Sequence, residues 1–211
     1  MKIALIGASG FIGSALCQEA LARGHQVTAL VSNPAKLDPA PNLSVVKLDA
    51  LDTTALAAEL AGKDAVISAF SGHAQDDVRG YYLRGIRSIV AAAKAAGVRL
   101  LLVGGAGSLE VKPGLQVVDT PDFPAQWKAS AEGARDALNL LRDEAELDWT
   151  MLSPSAHIEP GQRTGEFRLG GDQLLVGEDS QSRISTQDYA VAMIDELETP
   201  RHTRQRFTVG Y

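Results

Sequence analysis

Apolar residues in this chain fall into two alternating rhythms. Short runs rich in Ile, Leu, Val and Ala at 3–6, 26–31, 44–48, 65–69 and 98–103 read as strands. Helical patterns lie between them: 11–23, stopped by Gly24, a short helix over 55–61 capped by Thr53 or Thr54, and an alanine-rich stretch over 77–96, stopped by Gly97. Strands separated by helices imply parallel βαβ units, because a parallel connection needs a crossover. The near-continuous apolar character of AVISAF and RLLLVGG fits strands covered on both faces. The pattern predicts an α/β fold built on a doubly wound parallel sheet.

After Val103 the rhythm changes. Glycines and prolines crowd the stretch 104–125, which predicts a long loop, and long loops inside compact domains are often functional. A helix over 125–143 and a strand over 149–152 follow. A second irregular stretch covers 153–172. Ser185-Thr186-Gln187-Asp188 then caps a helix running to Leu197, and 206–209 can form a last strand. The expectation is one domain over 1–211, with residues 153–211 contributing a substrate lobe.

Composition narrows the function classes. The net charge of −6 argues against binding to a phosphate backbone, which needs clustered Lys and Arg. The densest basic stretch, Arg201-His202-Thr203-Arg204-Gln205-Arg206, reads as a solvated face. One cysteine, Cys17, excludes an internal disulfide framework and reads as a small buried hydrophobe. No run approaches the roughly 18 apolar residues of a membrane span, and MKIALIGASG lacks a signal peptide's apolar region. A cytoplasmic protein is expected, with no membrane or nucleic-acid partner, as a monomer or homodimer.

The first turn carries the sharpest chemistry. IALIGASGFIG places Gly7, Gly10 and Gly13 between the first strand and the first helix. Gly7 permits a tight turn, Gly10 lets backbone approach a pyrophosphate, and Gly13 lets helix and strand pack closely. The helix N-terminus offers free N–H groups and a positive dipole end to phosphates. This is a dinucleotide-binding (Rossmann) turn, spaced G-x-x-G-x-x-G. The second strand ends in Ser32 and Asn33, where an NAD site usually carries Asp or Glu. No carboxylate stands there to repel a 2′-phosphate, and Ser32, Asn33 and Lys36 could bind one, so NADPH is favoured over NADH. Asp49, after the third strand, suits either the adenine amino group or a helix cap.

With that turn, VSNPAKL, VISAFS, LLVGGAGSLEV, DTPDFP and GGDQLL…SRIS…DYAVAMIDELE together, the chain resembles an atypical short-chain dehydrogenase/reductase. It is most similar to the bacterial group described as NADH-flavin reductases, neighbours of NmrA-like proteins and of biliverdin/flavin reductases. The resemblance runs over nearly the whole chain. It implies NAD(P) binding, with FMN or FAD as a substrate rather than a tightly held group, or a quinone-like acceptor. It puts Gly7, Ala8, Ser9, Gly10, Phe11, Ile12 and Gly13 at the pyrophosphate, Ser32 and Asn33 near the adenosine ribose, and Asp49 and Ala50 at the adenine. Ala69, Phe70 and Ser71, with Gly104, Gly105 and Ala106, would pass along the cofactor toward the nicotinamide, which Ser153, Pro154 and Ser155 would border. Two positions depart from the group's pattern: Ser32 is often arginine there, and Trp127 is commonly tyrosine.

Typical short-chain dehydrogenases protonate a carbonyl with a tyrosine followed four residues later by lysine. Here the residues four beyond Tyr81, Tyr82 and Tyr189 are Gly85, Ile86 and Met193, and Tyr211 ends the sequence. Trp127 cannot replace the phenol, because an indole N–H has no accessible acidity. Alcohol dehydrogenation by a Tyr/Lys pair is therefore not supported, whereas hydride transfer to a stacked flavin needs mainly orientation. Lys128 is the candidate contact to ribose or phosphate and Trp127 a pocket wall. His157, in SPSAHIEPG, resembles a histidine of the biliverdin/flavin reductases and is the candidate to touch the flavin or relay a proton. His25, His73 and His202 lack metal-ligand spacing, so no metal is expected. A non-catalytic NAD(P)-binding sensor of NmrA-like type is the rival reading.

Overall fold

The computed structural model describes residues 1–73 and 75–211. Strands β1 (Lys2–Ile6), β2 (Gln26–Val31), β3 (Leu43–Lys47), β4 (Ala65–Ser68) and β5 (Arg99–Val103) alternate with helices α1 (Phe11–Ala22), α2 (Thr53–Leu60) and α3 (Val78–Ala96). A short antiparallel hairpin, β6 (Glu110–Lys112) and β7 (Leu115–Gln116), precedes α4 (Ala125–Arg142) and β8 (Trp149–Ser153). Then come β9 (His157–Glu159), β10 (Arg168–Gly170), β11 (Arg183–Ser185), α5 (Thr186–Glu198) and β12 (Gln205–Gly210).

The main sheet has the order β10-β12-β8-β5-β4-β1-β2-β3. Every pairing in it is parallel except β10 with β12. This is the doubly wound α/β fold that the alternating pattern predicts. Because side chains alternate across a strand, each strand feeds two cores. Ile3 and Leu5 of β1 pack with α1 and α5 residues such as Leu16, Tyr189 and Ile194. Ala4 and Ile6 pack on the opposite face with Leu56, Ile86, Ile89 and Leu138 from α2, α3 and α4. Cys17 is buried within the first of these cores. Among the described residues no helix is long and apolar enough to cross a membrane.

Four details differ from the sequence reading. The cap of α2 is Asp52, whose side chain accepts from the Ala55 N–H, because the helix starts two residues earlier than its apolar run suggests. The stretch 104–125 contains the β6–β7 hairpin, and 153–172 contains β9 and β10. These strands of two or three residues are too short and too polar to leave a period. The basic stretch near the end is not a solvated face throughout. Arg206 is 8% exposed, and its Nε donates to Asp172 Oδ1 at 2.7 Å, while His202 stacks on Phe207 with ring centroids 4.1 Å apart.

Between β9 and α5 the chain is pinned by polar side chains. The Asp188 carboxylate, fully buried on α5, accepts from the Thr164 N–H at 2.8 Å, the Gly165 N–H at 2.8 Å, the Thr164 hydroxyl at 2.6 Å and the Tyr211 hydroxyl at 2.7 Å. Arg163 forks onto both carboxylate oxygens of Glu19 on α1, at 2.7 and 2.8 Å. Gly161 donates to the Gln187 side chain, and the Ser185 hydroxyl donates to the Gln162 carbonyl.

Candidate functional site

The sheet reverses its winding between β1 and β4, and in open α/β sheets ligands bind in the crevice beyond the strand ends at such a switch point. The turn after β1 forms one wall of it. Gly7 has φ 76°, and a Cβ there would meet the Ala69 carbonyl oxygen at 2.6 Å. At Gly13 a Cβ would lie 2.0 Å from the Gly7 carbonyl oxygen, so only glycine lets α1 come this close to β1. Gly10 caps α1 without any side-chain hydrogen bond, and the first turn of α1 carries no acidic residue. The leading N–H groups of the helix thus keep their donors and dipole for an anion. A Cβ at Gly10 would touch only the Gly7 oxygen, at 3.2 Å, which leaves its outer side open. This cradle fits a pyrophosphate: close backbone approach, free donors, no competing carboxylate.

At the end of β2, Ser32, Asn33 and Lys36 are exposed. Asn33 Oδ1 caps the single 3₁₀ turn Pro34–Lys36 by accepting from the Ala35 N–H. The side chains of Ser32 and Lys36 make no hydrogen bond or ion pair among the described residues. Asp49 is exposed and its Oδ1 accepts from the Leu51 N–H, so part of its carboxylate is engaged in the turn that leads to α2, while Ala50 is buried.

The ends of β4, β5 and β8 supply the middle of the crevice. The Ala69 N–H donates to Ile6 and the Gly104 N–H to Leu152, continuing the sheet by one rung each. The Phe70 ring turns toward α3, where a Cβ at Gly85 would meet it at 2.1 Å, while Ser71 is exposed. Gly104 is confined by Met151 and Ser153, and Gly105 by Ala134 of α4. Ala106 opens the 3₁₀ turn Ala106–Ser108. Pro154 is buried. The Ser155 hydroxyl donates to the Val209 carbonyl at 2.9 Å, and the Ser153 hydroxyl accepts from Arg206 at 3.4 Å. Both hydroxyls therefore face inward, and from this segment the backbone is what remains for a ligand.

Lys128 lies exposed in the first turn of α4, with no hydrogen bond or ion pair among the described residues. Trp127 beside it is 53% exposed, and its indole meets the His73 ring edge-on with centroids 6.2 Å apart. His157 is also exposed, and its N–H is tied to the Ser182 carbonyl. No hydrogen bond links the imidazole to Lys128, so the two candidates do not form an acid–base pair. Among the described residues no group of three His, Cys, Asp or Glu side chains could hold a metal.

Sequence reasoning gave no role to Tyr82 beyond excluding a lysine partner. It is 8% exposed and stacks near-parallel on Phe70, with centroids 6.2 Å apart and planes 12° apart. Its place at helical spacing with Ile86 and Ile89 marks it as core, and nothing in the spacing tells where its hydroxyl ends.

Comparison with known proteins agrees with this geometry. The NAD(P)H-binding family model matches residues 7–200. A solved structure of a "putative epimerase" from Bacteroides thetaiotaomicron is 45% identical, with TM-score 0.93, covering 100% of this chain and 96% of that one. A "putative exported protein" from Burkholderia pseudomallei is 45% identical, with TM-score 0.91 and full coverage of both chains. A "putative NADH-flavin reductase" from Streptococcus pneumoniae is 36% identical, with TM-score 0.90, covering 100% and 99%. A glycine cradle shaped for a pyrophosphate and a family match spanning both the cradle and α5 lead to one assignment: the chain belongs to the NAD(P)H-binding family of Rossmann-fold oxidoreductases.

Proposed function

We propose that the protein binds NADPH in preference to NADH and uses it to reduce a flavin, FMN or FAD taken as a substrate, or a quinone-like acceptor. One observation carries this reading: a complete phosphate cradle stands beside a crevice in which, among the described residues, no tyrosine–lysine pair is assembled. When bound, the dinucleotide supplies a hydride to the acceptor. The chain's own task is then to hold and orient. In this reading the backbone from Gly7 to Gly13 grips the pyrophosphate, and Ser32, Asn33 and Lys36 hold the adenosine 2′-phosphate. Asp49 and Ala50 border the adenine. Backbone at Ala69–Ser71, Gly104–Ala106 and Ser153–Ser155 flanks the nicotinamide. Lys128 contacts ribose or phosphate, Trp127 walls the pocket and His157 touches the acceptor. Residues 153–211 form the substrate lobe of a single cytoplasmic domain.

The likeness to the "putative NADH-flavin reductase" from Streptococcus pneumoniae supports the flavin, and Lys128 and His157, exposed and with no side-chain partner among the described residues, support orientation without an obligatory side-chain acid. The test is anaerobic NADPH and NADH oxidation against FMN, FAD, riboflavin and a soluble quinone. Turnover with a flavin or quinone, faster with NADPH, is the expected result. Tight NADPH binding with no turnover on any of them would favour the sensor reading, which the missing tyrosine also fits.

A further inference from the structure

Between α2 and α3 lies a groove of about 420 Å³, lined by Leu51, Thr53, Arg84, Arg87 and Ser88. That volume is within the range of small-ligand sites. Helical spacing explains the lining: Arg84, Arg87 and Ser88 stand three and four residues apart on α3 and share one face. That face is turned to the start of α2, where the Thr53 and Ser88 hydroxyls lie 2.8 Å apart. One proton serves that bond. Whichever hydroxyl donates, the other keeps a proton with no acceptor among the described residues. Ser88 is 7% exposed, so the pair sits at the floor of the groove.

The charges there are unbalanced. Two guanidinium groups line the groove and no carboxylate does. Arg87 is exposed and makes no hydrogen bond or ion pair among the described residues. Arg84 has one ionic partner, Asp77, at 3.3 Å, and both side chains are more than half exposed, so the contact is worth little in water. The Arg84 guanidinium also lies 6.0 Å from the centroid of the Tyr81 ring. Asp49 and Asp52, close to Leu51 in sequence, each give an oxygen to a backbone N–H of their own turn, that of Leu51 and of Ala55. In a chain of net charge −6, cationic and hydroxyl donors thus converge here without a built-in anion.

We infer that the α2–α3 groove binds a phosphate dianion, free or as the head of a small phosphate monoester. Arg84 and Arg87 supply the forked N–H donors that suit phosphate oxygens, and the Thr53–Ser88 pair adds its remaining hydroxyl proton. Two arginines match one phosphate and not a polymer backbone, which takes a longer basic run. Leu51 gives an apolar side against which the organic part of an ester rests. The groove includes none of the residues assigned above to the dinucleotide. A phosphate compound can therefore bind alongside the cofactor.

Calorimetric titration with inorganic phosphate and with glycerol 3-phosphate tests it, run with NADH in excess so that the glycine turn is filled. Arg87→Gln keeps a good helix former at an exposed position, so folding is preserved. It should weaken both ligands about tenfold, the loss of one charge-assisted contact. Arg201→Gln removes the same charge from an exposed residue just after α5, which packs on the opposite face of the sheet from α2 and α3. Its affinities should stay within about twofold of wild type, since distant exposed charges are screened. Tighter binding of glycerol 3-phosphate identifies the ester as the occupant, and equal affinity identifies the free ion; either result, with the loss in Arg87→Gln, supports the inference. Equal weakening by the two variants would reduce the effect to net charge and overturn it, as would a wild type that binds neither phosphate. A loss of NADPH affinity in Arg87→Gln with NADH affinity kept would give the groove to the cofactor's own 2′-phosphate, and the separate site would fall.

Discussion

Between β1 and α1 the chain turns without one side-chain hydrogen bond, whereas between β9 and α5 side chains make most of the fixed contacts. The first turn takes its shape from what is missing. Gly7 and Gly13 leave no Cβ to collide with the Ala69 and Gly7 carbonyls, and the leading N–H groups stay available. The second segment, 160–166, has no apolar side chain to bury, so Asp188, Glu19 and Gln187 fix it instead. A loop that must grip a phosphate keeps its donors free, and a loop that must stay in place hands its donors to a buried carboxylate.

The contrast breaks most severely at Asp188. Asp188→Ala strands four donors in a buried site, and about 3 kcal/mol of stability should go, lowering Tm by roughly 6–12 °C. NADPH affinity measured well below the melt should remain. Loss of cofactor binding in that folded variant would show that the two regions are not independent.

At the other pole, Gly10→Val sets a branched side chain where the pyrophosphate must approach. NAD(P)H affinity should fall at least about tenfold, or ~1.4 kcal/mol, with melting little changed. An unaltered titration curve in the folded variant would remove the phosphate from this turn.

Coenzyme choice sharpens the same region by a smaller amount. Ser32→Glu should shift preference from NADPH toward NADH, read as the ratio of kcat/KM values, because a carboxylate repels a 2′-phosphate. Lys128→Ala should raise KM by up to about tenfold with kcat within about tenfold, less than the 10²–10⁴-fold typical of general acid–base catalysis. A thousandfold loss of kcat would make Lys128 a true proton donor.

The gentlest probe is pH. Burial works to raise the Asp188 carboxyl, but hydrogen bonds from Thr164, Gly165 and Tyr211 outweigh it and hold it below its ordinary value. Glu19 is lowered too, chiefly by Arg163. A depressed folded pKa means the stabilisation is complete above the unfolded carboxyl's value, about 4, and is lost as pH falls through the lower folded one. These groups should therefore cost nothing between pH 7 and 5 and weaken the fold below about pH 4. The acid-side decline should be shallower in Asp188→Ala, measured by melting across pH.

The two regions also differ in how far their sequence speaks. The turn was legible because Gly7, Gly10 and Gly13 act locally, each on an atom a few residues away or on the next strand. Strands β1, β2, β4 and β5 were legible because they are largely buried and read as apolar runs. Asp188 was read only as part of a helix cap, since its partners Thr164 and Gly165 lie more than twenty residues earlier. Arg206 looked like solvated surface because Asp172, which neutralises it, is equally remote.

The place of β12 has a consequence for the order of assembly. It sits between β8 and β10, and among the described residues β10 has no other strand partner. The three residues of β10 therefore cannot join the sheet until the chain has passed through α5 and returned to dock on β8. Closing so long a loop is slow compared with the βαβ steps around β1 and β2. Folding should proceed from the glycine turn outward, with the β10–β12 edge of the sheet completed last. A dinucleotide that binds the early half then favours the native chain by mass action before that edge is in place.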